Sequence, residues 1–224
     1  MKKIKLKLSK IIPAFVLLSV SIPIVFLIIK LIISKTYEPE TFLTIMVSVL
    51  VVFAFFVPSI AAKKLKLDIP EPLYISFVLF LYGAAFLGEL KGFFYTYAYW
   101  DEMLHFTSAI MLGILGFSIL LSLDDRSTKI KFSPFVVALF ALCFTMAAGV
   151  VWEIFEYTMD EFFLTNMQKF MLENGKQFIG HAAVADTMKD LIIDTIGGLI
   201  ISVMGYFSIR NNNKWLNNII IKKK

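Results

Sequence analysis

The chain has a single cysteine, Cys143, among its 224 residues. It lies inside an apolar run, so no intramolecular disulfide can form and a cysteine-ligated metal site is excluded. Charge is also scarce: 17% of the residues are charged and 58% are hydrophobic. Soluble domains run at about 25% and about 45–50% respectively, so a soluble globular domain is excluded. The net charge of +5 is not gathered on a basic segment outside the apolar runs, and this argues against nucleic acid as a partner. Repeats and low-complexity linkers are absent, and the chain reads as one domain. Lys2, Lys3, Lys5, Lys7 and Lys10 precede an apolar stretch that is too long for the core of a signal peptide. No small-residue cleavage site follows it, so it is read as an uncleaved first span.

What the chain does have is apolar runs of membrane-spanning length. They fall at about 11–34, 41–62, 73–90, 103–123, 134–155 and 191–209. The expected fold is all-α, a polytopic membrane helical bundle of about six transmembrane helices. Pro13 and Pro23 lie inside the first run and are tolerable in a membrane helix, where neighbouring groups re-satisfy the freed carbonyls. The aromatic segment 93–100 fits the belt at a membrane–water interface. Basic residues cluster before the first run, after the second (Lys63, Lys64, Lys66), after the fourth (Arg126, Lys129, Lys131) and at the end of the chain (Arg210, Lys214, Lys222, Lys223, Lys224). These four regions alternate regularly, which places both termini in the cytoplasm. Gly113, Gly116, Gly149, Gly197 and Gly198 are expected at points where helices approach closely.

Acidic residues and a histidine recur at helical spacing. Asp101 and His105 open the fourth run, Glu153 and Glu156 close the fifth with Asp160 beyond, and Asp186, Asp190 and Asp194 lead into the sixth. Residues three or four apart share a helix face, so each helix presents an acidic or acidic–imidazole stripe. The alternating topology puts all three stripes at one depth, near the extracytoplasmic boundary, with Glu89 at the same level. Glu102, Asp160, Glu161 and His181 fit ordinary wet helix ends. The inner residues do not, because a buried carboxylate costs several kcal/mol unless it is paired, protonated or metal-bound. Few cations are near in sequence: Lys189 in the sixth stretch, and Lys91 and Lys176 in loops. A surplus of carboxylates with one imidazole is hard-to-borderline ligation, suited to Mg²⁺, Mn²⁺, Zn²⁺ or Fe.

Three segments carry a resemblance: Tyr99-Trp100-Asp101-Glu102-Met103-Leu104-His105-Phe106, Trp152-Glu153-Ile154-Phe155-Glu156-Tyr157 and Asp186-Thr187-Met188-Lys189-Asp190, followed by Ile196-Gly197-Gly198. Over about 99–201 the chain resembles the YjdF-like family of bacterial inner-membrane proteins. The lead-in His181-Ala182-Ala183-Val184-Ala185 departs from the family's pattern. The resemblance implies a multi-pass protein of the bacterial cytoplasmic membrane and supports the choice of residues, but it implies no activity.

These readings combine into one expectation. Asp101, His105, Glu153, Glu156, Asp186 and Asp190 hold a divalent metal, with Glu153, Glu156 and Asp190 as the carboxylates available for catalysis. The substrate is a membrane lipid or lipid-linked headgroup, which reaches a site at this depth by lateral diffusion. The alternatives are a proton- or cation-coupled transporter using the same carboxylates, or a non-catalytic membrane accessory protein.

Overall fold

In a computed structural model the described residues are 8–34, 39–123, 132–172, 174–213 and 215–223. The basic residues at 2, 3, 5, 7, 126, 129, 131, 214 and 224, on which part of the orientation rests, lie outside them. The chain is a helical membrane bundle in two compact units, Met1–Trp100 with Ile221–Lys224, and Asp101–Ile220.

In the first unit, α1 (Leu8–Ser34) and α2 (Pro39–Lys64) pack together, and α3 (Glu71–Leu81) runs on into a π-helical segment, Tyr82–Leu90. α1 keeps Pro13 and Pro23 inside an unbroken helix. Val16, Val20, Ile24, Phe55, Val78 and Phe86 form the core, while Phe15, Phe26 and Ile33 face outward. Apolar residues on that face suit a lipid surround. Short helix α4 (Phe93–Thr96) follows Gly92, whose φ of +69° is open to glycine without strain. The Trp100 indole then donates to the Gly83 carbonyl at 3.1 Å, tying the aromatic segment to the π-helical turn. β1 (Leu67–Asp68) pairs antiparallel with β2 (Lys222–Lys223). The loop after α2 and the end of the chain therefore share one side, as the alternation of basic residues requires.

The second unit is a three-helix bundle of α5 (Trp100–Leu123, its first residue belonging to the first unit), α6 (Pro134–Phe163) and α7 (Ala185–Arg210). α6 starts with Pro134 at its first turn and a Ser133 cap that accepts from the Val136 N–H at 3.4 Å, a favoured helix start. Between helices in lipid there is little hydrophobic drive, so close van der Waals approach holds them together. All five predicted glycines serve it. A Cβ on Gly113 would strike Ile201, one on Gly116 would lie 2.9 Å from the Ala141 backbone, and one on Gly197 2.8 Å from the Ala109 methyl. One on Gly198 would lie 3.0 Å from Thr145, and one on Gly149 would strike the Asp194 carboxylate. At one end of this bundle Phe117, Leu120, Val137, Ala138, Ala141, Leu216 and Ile220 form an apolar core. The other end collects the start of α5, the end of α6 and the start of α7.

Five described helices are long and apolar enough to cross a membrane: Ile11–Ile33, Glu71–Leu90, Trp100–Leu123, Pro134–Phe163 and Gly180–Arg210. α2, of 26 residues, stands where the second span was expected. The helices overrun the expected limits at the acidic end: α6 continues to Phe163 rather than 155, and α7 begins at Ala185 rather than 191. Limits drawn where apolar runs stop miss these turns, in which Glu156, Asp160 and Asp190 are buried.

Candidate metal centre

The three stripes meet. Within the second unit, seven carboxylates stand in one layer: Asp101 and Glu102 on α5, Glu153 and Glu156 on α6, and Asp186, Asp190 and Asp194 on α7. His105 stands among them, 6% exposed. Its Nε2 lies 3.8 Å from Asp101 Oδ1, and its Nδ1 lies 3.4 Å from both Asp194 oxygens. The imidazole is thus held on one nitrogen by Asp194 and turns the other toward Asp101. That is the usual arrangement of a metal-ligating histidine with an outer carboxylate. Gly149 makes room for it, since a side chain there would displace the Asp194 carboxylate.

Asp101, His105 and Asp190 each offer a ligand atom within 4.8 Å of the others, the one such grouping among the described residues. Asp190 is 1% exposed and neither of its oxygens has a hydrogen-bond partner. An ionised carboxylate in that condition carries its full desolvation penalty. One imidazole and two carboxylates, with remaining positions open, suit an octahedral or tetrahedral divalent ion.

Of the six residues expected to ligate, Glu153, Glu156 and Asp186 fall outside this group, and Glu156 and Asp186 have other partners. Glu156 accepts from the Trp152 indole of its own helix at 2.9 Å. Asp186 lies 3.6 Å from the Lys169 ammonium. Glu153 is 5% exposed, and both its oxygens are buried without a hydrogen-bond partner, as those of Asp190 are. Sharing a stripe on a helix does not determine which carboxylate meets which helix.

Cations are closer than the sequence implied. Lys169, in the segment between α6 and α7, pairs with Asp101 as well as Asp186, and Lys189 pairs with Glu102. Glu102 is therefore a buried, paired residue and not an ordinary wet helix end. Burial works against the charge on Lys169, but Asp101 and Asp186 outweigh it and hold its pKa above the usual lysine value. Asp160 has a structural task. It accepts from the Thr165 hydroxyl at 2.6 Å and from the Met167 and Gln168 N–H groups at 2.7 and 2.9 Å, anchoring the chain just before Lys169. His181 and Glu161 are exposed, as expected.

The profile of the family described as "Predicted membrane protein (DUF2238)" matches residues 15–211. The chain belongs to this DUF2238 family, the YjdF-like family of the sequence resemblance. An uncharacterized protein of Thermotoga maritima is 27% identical over 146 residues, 63% of this chain and 66% of that protein's own length. No solved structure matches the chain. All three helices of the acidic layer lie within the DUF2238 match, and Asp101, His105, Asp190, Asp194 and Lys169 all fall inside it.

Proposed function

We propose that this chain is a metal-dependent enzyme of the bacterial cytoplasmic membrane, open to the extracytoplasmic side and acting on a lipid or lipid-linked headgroup by hydrolysis or transfer. Asp101, His105 and Asp190 hold the ion, of the Mg²⁺, Mn²⁺ or Zn²⁺ class. The observation that carries this reading is Asp190, buried without a partner and within ligating reach of an imidazole and a second carboxylate.

A bound divalent ion supplies Lewis acidity and a nucleophile at neutral pH. The chain's own residues do the rest. Asp194 fixes the orientation of His105. Glu153, at the edge of the group, accepts a proton, and Glu156, held by Trp152, is the second carboxylate within the layer. Lys169 and Lys189 offset part of the negative charge. Trp152, Met188 and Ile192 are exposed beside this layer, so a lipid headgroup reaches it from the bilayer with its chains still in apolar surroundings.

A carrier built on the same carboxylates would need polar groups along its whole path. The opposite end of the three-helix bundle is filled by Phe117, Leu120, Val137 and Leu216, and this favours the enzyme. The test is metal analysis of the purified protein together with the phenotype of single and double substitutions. Residues that act as a unit are strongly non-additive. Asp101→Ala, His105→Ala and Asp190→Ala should each abolish function and metal content, and the doubles should be no worse. Partial, additive losses with metal retained would refute the reading.

A further inference from the structure

The chain carries its own cation at the proposed ion site. Lys169 bridges Asp101, one of the three grouped residues, and Asp186. Its position is built rather than incidental. Asp160 holds the backbone of Met167 and Gln168, and the Gln168 side chain donates to Thr187 of α7 at 2.9 Å. Spanning Lys169, the Asn166 amide donates to the Met171 carbonyl at 2.8 Å and its oxygen accepts from the Met171 N–H at 3.2 Å. Lys169 itself has a φ of +45°, left-handed backbone that L residues adopt at a cost and that surrounding structure must enforce. Bracing on both sides of one strained residue delivers its ammonium to Asp101.

We infer that Lys169 is a tethered competitor of the divalent ion at Asp101, so that ion binding displaces its ammonium and loosens the loop around it. The inference rests on the ion site proposed above. Asp101 cannot serve both cations equally. An ammonium hydrogen-bonded to one of its oxygens and a divalent ion on the same carboxylate would stand a few ångströms apart, and like charges at that separation repel strongly in a buried site. Removing the ammonium should therefore favour the ion. Lys169 would then set how readily the site loads, and it keeps Asp101 and Asp186 compensated until it does.

The experiment uses full-length protein in detergent with Cys143→Ser, and the probe is Mn²⁺ alone. Binding is measured for the parent, Lys169→Met and Lys169→Arg, and the reactivity of a cysteine at Asn174, beyond Lys169 in the same loop, is followed during titration. The expected result is binding about tenfold or more tighter in Lys169→Met, near-parental binding in Lys169→Arg, and a rise in cysteine reactivity as Mn²⁺ loads the parent. Asp160→Asn supplies a second route. It loosens the anchor without touching the acidic layer, and it should also tighten binding. Equal affinities in all variants with unchanged reactivity, or weaker binding in Lys169→Met, would overturn the inference and leave the ion site standing. Absence of binding in every variant would remove the ion site, and the inference with it.

Discussion

Gly149→Ala isolates the contact that orients His105. An added Cβ would strike Asp194 Oδ2 and lie 3.1 Å from its Cγ and 3.4 Å from its Cβ. The backbone can stay in place if the carboxylate swings away, so the steric part is small. The swing, however, breaks the 3.4 Å approach to His105 Nδ1. It also leaves Asp194, 3% exposed, buried without that partner, at about 1–3 kcal/mol. Against this, alanine in a helix interior gains about 1 kcal/mol over glycine. The net change in stability should be a loss of about 0–2 kcal/mol. The effect on the ion should be larger, because losing the outer partner of a ligating histidine costs about 10–100-fold in metal affinity. Gly116→Ala is the control. Its Cβ would meet the Ala141 backbone, at 2.9 Å from the Cα, which cannot swing, so stability should fall by about 1–3 kcal/mol with ion affinity unchanged. Mn²⁺ titration and thermal unfolding in one detergent read both quantities. Gly149→Ala protein that gains stability and binds Mn²⁺ like the parent would refute the role assigned to Asp194.

Two further predictions follow from the anchors and the topology. Asp160→Ala removes the acceptor of three hydrogen bonds and should destabilise the protein by about 1–3 kcal/mol with chelator, and by less with metal because the loosened Lys169 lets the ion bind more tightly, as read by thermal unfolding; a loss that is larger with metal would make Asp160 a ligand instead. With Cys143→Ser in place, a cysteine at Asn174 should react with an impermeant reagent in intact cells and one at Ser127 should not, and the reverse pattern would invert the proposed orientation.

The stripes on α5, α6 and α7 were legible because helical spacing and the alternation of basic loops are local features that add up along the chain. Asp101, His105 and Asp190 could be placed among six candidates that way. Lys169 could not. Its place depends on Asp160, nine positions earlier, capping the backbone of its neighbours, and on a left-handed turn at a residue type that gives no signal for one. The separation of Glu153, Glu156 and Asp186 from the grouped residues was hidden for a related reason. Which carboxylate meets which helix is set by contacts such as Gly197 on Ala109 and Gly149 on Asp194. Those glycines were readable as contact points, but not their partners. The π-helical end of α3 had no sequence mark at all.

Thermal unfolding of the parent and of Asp190→Asn, each with chelator and with Mn²⁺, Mg²⁺ or Zn²⁺, tests the central claim most directly. Without metal, Asp190→Asn should be as stable as the parent or more so, because it removes an unpartnered buried charge from an acidic layer. With metal at 100 times its Kd the parent should gain about 2.7 kcal/mol by ligand linkage, and Asp190→Asn should gain almost none. A parent that no divalent ion stabilises, or an Asp190→Asn protein that gains as much as the parent, would contradict the account.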